Sequence, residues 1–456
     1  MKKKNLYIVH CIDTEGPLDE DLYATFERLE HIFHLKFKPS FETLKKLQNA
    51  EINLLGKEEA VKQVLDPHLL NYNNSWEKIK NMMLECLSSN FRKKYSDDFK
   101  NGWVYNWHFV DHVDYDFNPR KRHIGYHAIY DEYKKIFNEF KECKKDGFHF
   151  HYHPHPLIKH AHLCATRWLG PTDKLFQILS RRIIDRHWFP SVNRPGFQVN
   201  RPDSHWFLEQ FIPFDYATLA MEQNQNDMKQ FDFSDGRSGD WRRAPITWEP
   251  YHPSHDDYQE IGNCRRWITR CLNIGTRAYL LGEKEIDLAF REAKVGKPAI
   301  LAFANHDFRD IRDDIEKVYN QIRAISKKYP EVNIINSEAV FAMRNSLNIK
   351  KENPCDLEID IEELYEGTHK MSVKTKTKTF GPQPYLAFKS SNGDYYHDNF
   401  DFQKPFHEWS YVFDEETIKL SALDKIGVAS NNSYGTTTVS IYDVKKKKKE
   451  KYFHNL

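Results

Sequence analysis

NLYIVHCIDTEGP, residues 5–17, is a short apolar run that ends abruptly in polar residues. The part from Leu6 to Ile12 has the length and composition of a buried β-strand. The polar end puts Asp13 and Glu15 at the point where that strand finishes. In parallel sheets, open or closed into a barrel, ligands and reacting groups lie at the carboxyl ends of the strands. We therefore expect a buried strand that carries two acidic side chains into a functional site.

Helical patterns alternate with strand-like segments along most of the chain. A helix predicted over residues 283–294 and closed by Gly296 precedes the strand KPAILAFANHD, and a helix over residues 310–328 precedes VNIINSE. Such alternation favours parallel βαβ units, and their number favours an α/β fold with a closed or partly closed barrel. We assign this domain to residues 1–348, with a charged helical insertion at about residues 20–100.

The composition changes after a charged linker that contains a proline, at residues 350–370. MSVKTKTKTF alternates along residues 371–380, and SSNGDYYHDNF carries an Asn-Gly turn signal. Alternation and tight turns of this kind are typical of antiparallel strands. We expect residues 355–456 to form a separate all-β domain that resembles a β-sandwich.

Composition and charge describe a soluble globular protein. The chain has 40% hydrophobic and 29% charged residues and a formal net charge of +1, so bulk charge gives no reason to expect nucleic acid as a partner. The seven cysteines form no CxxC pair, which fits free thiols in a reducing cytoplasm. No run of about 18 apolar residues occurs, so we expect no integral membrane segment.

DGFHFHYHPHP, residues 146–156, holds histidines at every second position, namely His149, His151, His153 and His155. In an extended chain all four would project from the same side. Four imidazoles on one face are difficult to bury without partners and would repel one another if protonated. We expect at least two of them to bind a metal. Imidazole nitrogens with one carboxylate oxygen form a normal set of ligands for zinc, and open positions make such a site catalytic.

The order of four short motifs resembles the polysaccharide deacetylase (NodB-homology) family. The motifs are the strand ending in Asp-x-Glu-Gly-Pro, His-x-x-x-His-Pro within HYHPHP, Arg-Pro-Gly within NRPGF, and the late strand LAFANHD. The resemblance covers about residues 5–345 and implies a distorted (β/α) barrel. It also implies a divalent-metal hydrolase that removes acetyl groups from amino sugars or sugar hydroxyls. The chain departs from the usual pattern in two places, since the family more often has adjacent aspartates before Gly-Pro and an extra residue between proline and glycine.

The resemblance implies a role for each matching residue, with zinc as the expected ion. The roles are Asp13 as general base, Glu15, His151 and His155 as metal ligands, Arg194 as the residue that positions the base, and His306 as the acid that protonates the leaving group. A bend near Pro154 would let His151 and His155 converge with Glu15. His149 and His153 would then lie outside the set of ligands, as partners of the ligands or in the substrate groove.

These expectations lead to a metal-dependent deacetylase that acts on a carbohydrate, for example in surface-polysaccharide synthesis. Two alternatives remain open at the level of sequence. One is hydrolysis of a C–N bond in a substrate other than a sugar. The other is a catalytically inactive protein of deacetylase type that binds glycans through its β domain.

Overall fold

The strand that contains Asp13 is part of a closed parallel barrel. The computed structural model describes residues 4–161, 163–165, 167–170, 173–222, 239–276 and 278–456, apart from the side chains of residues 141 and 142. Within these residues, seven parallel strands close into a ring and an eighth lies beside the first. The strands are β1 (Lys4–Thr14), β2 (Tyr105–Phe109), β3 (Gly147–Tyr152), β4 (Val192–Pro195), β5 (Phe214–Thr218), β6 (Trp267–Asn273), β7 (Ala299–His306) and β8 (Val332–Asn336).

Strand β1 closes the barrel because it is long enough to pair with three neighbours. Its residues 6–13 pair with β7 along one edge. Along the other edge, residues 4–8 pair with β8 and residues 10–14 pair with β2. Alternate side chains of β1, Tyr7, Val9 and Cys11, join an apolar cluster with side chains of β4 to β7 and so face the barrel interior. The predicted α/β barrel is confirmed.

Twelve α-helices accompany the barrel strands within the described ranges. They are α1 (Leu22–Phe33), α2 (Phe41–Gln48), α3 (Glu58–Val64), α4 (Pro67–Leu70), α5 (Trp76–Cys86), α6 (Ser89–Lys94), α7 (Ala128–Phe137), α8 (Lys174–Arg186), α9 (Pro202–Phe211), α10 (Glu283–Val295), α11 (Arg312–Ser326) and α12 (Ala339–Ser346). Helix α10 ends at Gly296 with a φ of 87°, as its closing glycine predicts. No helix in the described part of the chain combines the length and the apolar character that crossing a membrane would require.

Helices α1 to α6 lie between β1 and β2, where the sequence predicts a helical insertion. Short polar side chains begin several of them, because Asp21, Ser40 and Ser75 each accept a hydrogen bond from a backbone N–H of the first turn. Helices α1 and α3 build a small core of their own around Phe26 and Val61. The insertion can therefore hold a stable wall beside the carboxyl ends of the barrel strands.

The C-terminal part of the chain forms two antiparallel sheets, which confirms the predicted all-β region. The sheets have the strand orders β13-β14-β10-β9 and β12-β11-β15-β16-β17. Their strands are β9 (Glu358–Tyr365), β10 (Thr368–Lys374), β11 (Tyr385–Ser390), β12 (Tyr395–Asp398), β13 (Asp401–Lys404), β14 (Glu408–Phe413), β15 (Leu423–Asn431), β16 (Thr437–Asp443) and β17 (Lys448–His454). Side chains of both sheets, such as Met371 and Trp409 from one and Phe388 and Val428 from the other, share one core.

Candidate metal and catalytic site

The polar ends of four barrel strands meet in one cavity. Asp13 and Glu15 end or follow β1, His151 lies in β3, Arg194 lies in β4, and His306 is the last residue of β7. All but Arg194 line a cavity of about 440 Å³, together with residues of the helical insertion. The sequence predicts this convergence, because the carboxyl ends of parallel strands share one face of a barrel.

Three buried side chains, Glu15, His151 and His153, hold their donor atoms within 4.8 Å of one another and could bind a metal ion. The Nε2 atoms of His151 and His153 lie 3.0 Å apart. Glu15 Oε1 lies 3.8 Å from His151 Nε2 and 3.5 Å from His153 Nε2. One carboxylate and two imidazoles form a common ligand set for divalent ions such as zinc, with positions left open for water or substrate.

Two neighbours of this donor set orient it. His151 Nδ1 lies 2.7 Å from the backbone carbonyl oxygen of Arg194 and donates to it, which leaves the Nε2 lone pair facing the other donors. Gly196 leaves room for the His153 ring, because a Cβ at residue 196 would come within 2.8 Å of His153 Cγ. A fixed tautomer and a space reserved for a ring are features of a built site, and the residues present fit a divalent ion.

His155 does not join the donor set, which corrects the predicted pair of His151 and His155. Its Nε2 lies 2.9 Å from the backbone oxygen of Val113, and its ring stacks on Tyr115 with centroids 4.9 Å apart. The alternation of β3 continues past Tyr152, so that His153 follows His151 on the same face and reaches Glu15. Beyond Pro154 the chain turns His155 toward Val113 instead of bending it back to the site.

Asp13 is bound to Arg194, as the motif comparison implies. Arg194 Nε donates to Asp13 Oδ1 at 2.6 Å, and both side chains are buried. Burial raises the pKa of Asp13, but nearby positive charge, above all that of Arg194, brings the pKa below its ordinary value. Asp13 is therefore ionised at neutral pH and has a fixed orientation.

His306 faces both carboxylates across the cavity. Its Nε2 lies 3.6 Å from Asp13 Oδ2 and 3.7 Å from Glu15 Oε1. Burial lowers the pKa of His306 to about 4, although the two carboxylates favour its protonated form. The ring is consequently neutral at neutral pH and can accept a proton.

Two further residues act on Glu15, and the motif comparison did not single them out. Arg122 NH1 lies 2.5 Å from Glu15 Oε2. Burial raises the pKa of Glu15, but Arg122 and His153 bring it well below its usual range. Asp307 accepts hydrogen bonds from the backbone N–H groups of Glu15 at 2.8 Å and Gly16 at 2.9 Å. Asp307 directly follows His306 and could have been suspected from that position, whereas Arg122 lies in a loop without any local signal.

In comparisons with known proteins, no family model and no curated protein matches this chain, so no role can be transferred from a relative. Because barrels of this kind support many unrelated activities, the fold alone does not assign one. The reaction is therefore determined by the side chains in the cavity.

Proposed function

We propose that the protein is a metal-dependent hydrolase that uses zinc to remove an N- or O-linked acetyl group from a carbohydrate. The observation that carries the proposal is the position of Asp13 and His306 beside the donors of Glu15, His151 and His153 in one cavity. Hydrolysis of an acetyl amide or ester requires a base for water, an acid for the leaving group and stabilisation of the oxyanion. The cavity contains a candidate for each task.

A divalent ion on the three donors would supply Lewis-acid polarisation of the acetyl carbonyl and of water. Asp13 is suited to be the base, because Arg194 holds its Oδ1 and leaves Oδ2 on the side of His306. Asp13 would take a proton from the attacking water. Because Asp13 Oδ2 lies 3.6 Å from His306 Nε2, that proton has a short path to His306 and on to the leaving group. In this scheme the neutral ring of His306 takes the proton and passes it to the departing amine or alkoxide.

The choice of a carbohydrate is supported by the cavity wall and by the order of the motifs. Phe197 and Tyr279 line the same cavity as the acidic groups, and the Phe197 ring lies 5.4 Å from the His153 ring. Aromatic faces beside polar groups suit a sugar, which presents an apolar ring face and hydroxyl edges. The motif order is similar to that of polysaccharide deacetylases, and we propose a distorted barrel of that type. Cys11, Cys86, Cys264, Cys271 and Cys355 are free thiols, which favours the reducing cytoplasm as the place of the reaction.

The direct test is metal removal and restoration. We expect the purified protein to contain about one divalent ion per chain by elemental analysis, as one three-donor site requires. Treatment with a chelator should abolish acetate release from N- or O-acetylated sugars, and added zinc should restore it. Circular dichroism before and after chelation controls for unfolding. Acetate release that persists in the folded, metal-free protein would contradict the proposal, and so would a protein that binds no divalent ion.

A further inference from the structure

The cavity extends away from the metal donors to a group of arginines that have no part in the proposed transfer of protons. Arg28, Arg120, Arg122 and Arg309 line it beside the helical insertion, and we call them the arginine cluster. Two of them lie over one aromatic ring, that of Phe308. The Arg122 and Arg309 guanidinium groups lie 5.1 and 5.0 Å from the centre of the Phe308 ring. The cluster is thus one continuous part of the cavity wall.

Two arginines of the cluster share one buried carboxylate. Arg28 and Arg120 both contact Glu20, and the Arg120 Nε to Glu20 Oε2 distance is 2.5 Å. One carboxylate therefore serves two guanidinium groups. Burial and the neighbouring charge of Arg28 lower the pKa of Arg120 to about 9, despite the opposing effect of Glu20. An anion bound here would relieve that repulsion.

Donor groups of the cluster are buried without acceptors. Arg120 is 3% exposed and Arg122 is 7% exposed. Among the described residues, Arg120 NH1 and Arg122 Nε have no hydrogen-bond acceptor. Because a buried donor without a partner is unfavourable, a ligand with acceptor oxygens at this wall would satisfy groups that the protein itself leaves unsatisfied.

The position of Arg122 connects this wall to the metal donors. Its NH1 contacts Glu15 Oε2, and Glu15 Oε1 is the oxygen that faces the two histidines. A divalent ion on Glu15 would draw on the same carboxylate that neutralises Arg122. The positive character of the wall would then increase when the metal site is loaded, and an anionic group on the substrate would offset it.

We propose that the acetylated sugar carries an anionic group, a phosphate or a carboxylate, which binds to Arg120 and Arg122. This inference rests on the proposed deacetylation, because the anionic group would bind while the acetyl group lies beside Glu15 and His306. Guanidinium groups bind both classes of anion through paired, charge-assisted hydrogen bonds. The arginine cluster thereby selects charged sugars over neutral ones.

Calorimetric titration of the metal-loaded protein with inorganic phosphate, D-glucuronate and neutral glucose tests this at constant ionic strength. We expect one or both anions to bind and glucose not to bind. Binding of phosphate alone would indicate a phosphorylated sugar, and binding of glucuronate alone would indicate a sugar with a carboxylate. Arg120→Gln should weaken anion binding at least about tenfold, since a charge-assisted pair is lost. The matched control is Arg291→Gln, which removes an exposed arginine paired with Asp287 at 3.0 Å on α10, and it should leave binding unchanged.

A second variant keeps the test decisive if Arg120→Gln does not fold. Arg120→Lys retains the charge but loses the paired donors, so it should weaken anion binding less than Arg120→Gln while the unfolding temperature stays near that of the wild type.

Equal binding of glucose and the anions would overturn the inference. Anion binding that Arg120→Gln and Arg120→Lys leave unchanged would also overturn it, because the metal ion alone would then hold the anion. Binding is measured without turnover. Anion binding without acetate release from any sugar would contradict the proposed function only, and acetate release from neutral sugars without anion binding would contradict this inference only.

Discussion

Strand β3 contributes histidines to two clusters at different levels of the barrel interior. At the lower level, His149 Nε2 lies 3.1 Å from Glu338 Oε1 and 3.2 Å from Asn106 Oδ1. At the upper level, His151 and His153 meet Glu15. Both clusters place imidazole beside a buried or partly buried carboxylate, and residue type alone does not distinguish them.

The difference lies in what else each carboxylate binds. The two oxygens of Glu338 accept hydrogen bonds from the N–H groups of Val340 at 2.9 Å and Phe341 at 2.8 Å, so this side chain caps helix α12. Glu15 Oε1 instead faces imidazole nitrogens at the wall of the cavity. A histidine–carboxylate pair can bind a ligand only where its lone pairs are not already used by the backbone and where the cavity reaches it.

The largest expected effect is a loss of turnover, which should follow from a substitution at the upper level but not from one at the lower level. Asp13→Asn keeps an oxygen for Arg194 but removes the base, so we expect turnover to fall about 1000-fold, within the usual range for a general base. Steady-state acetate release at equal zinc content measures it. The matched control is Glu338→Gln, which should leave turnover nearly unchanged and lower the free energy of unfolding by about 1 kcal/mol through the weakened cap. A turnover loss of less than about tenfold for Asp13→Asn would remove Asp13 as the base.

The next effect concerns which histidine binds the ion. His153→Ala should weaken zinc affinity by more than about 100-fold, because loss of a partner outside the ligand set already costs about 10- to 100-fold. His155→Ala, two positions along the same segment, should leave the affinity nearly unchanged. Competition with a fluorescent zinc chelator measures both. The opposite order of effects would restore the pair of His151 and His155 that the motif comparison implies.

One glycine packs against a histidine at each level of the barrel interior, so the same substitution, glycine to alanine, can disturb either cluster. Gly196→Ala would press on the His153 ring, and Gly147→Ala would come within 2.6 Å of Asn106 Oδ1 and 2.9 Å of His149 Cε1. We expect Gly147→Ala to lower the free energy of unfolding by about 2 kcal/mol through overpacking, with zinc affinity unchanged in the folded protein. Gly196→Ala should weaken zinc affinity about tenfold by displacing a ligand. Urea unfolding and zinc competition on both variants check this, and identical behaviour of the pair would show that the levels are not separate.

The smallest effect concerns a histidine that serves structure alone. His10 accepts a hydrogen bond from Trp103 Nε1 at its Nδ1 and lies 2.9 Å from Asn305 Oδ1 through its Nε2, so its neutral form is fully bonded. Burial lowers its pKa from 6.5 to about 4. Its stabilising contribution is complete above pH 6.5 and is lost as the pH falls toward the folded-state pKa, because the unfolded chain takes up the proton first.

We therefore expect His10 to account for a fall of about 2 kcal/mol in the free energy of unfolding between about pH 7 and pH 5. His10→Gln cannot titrate, so its unfolding free energy should fall less steeply over the same range. Urea unfolding of both proteins at a series of pH values measures the difference. Parallel pH curves for the two proteins would show that the ring is not held neutral by its partners.

Much of the site could be predicted from single segments of the chain. Asp13 and Glu15 lie at the carboxyl end of an apolar strand, and Arg194 and His306 lie at or next to the carboxyl ends of later strands. Because the carboxyl ends of parallel strands meet on one face of a barrel, this position alone predicts that the four side chains lie together. The choice among the four histidines could not be made in this way. Alternation puts His149, His151 and His153 on one face, but a single strand carries no information about which level of the barrel holds the carboxylate with open lone pairs.

The sequence by itself determined the parallel barrel, the all-β region after it and the convergence of Asp13, Arg194 and His306, because these depend on local patterns of apolar and polar residues. Only the tertiary structure decided that His153 and not His155 lies beside Glu15, that Arg122 contacts Glu15, and that the arginine cluster lines the same cavity. These contacts join residues far apart in the chain, such as Glu15 and Arg122. They depend on how loops and the helical insertion pack over the barrel, and no periodic pattern in the sequence records that packing.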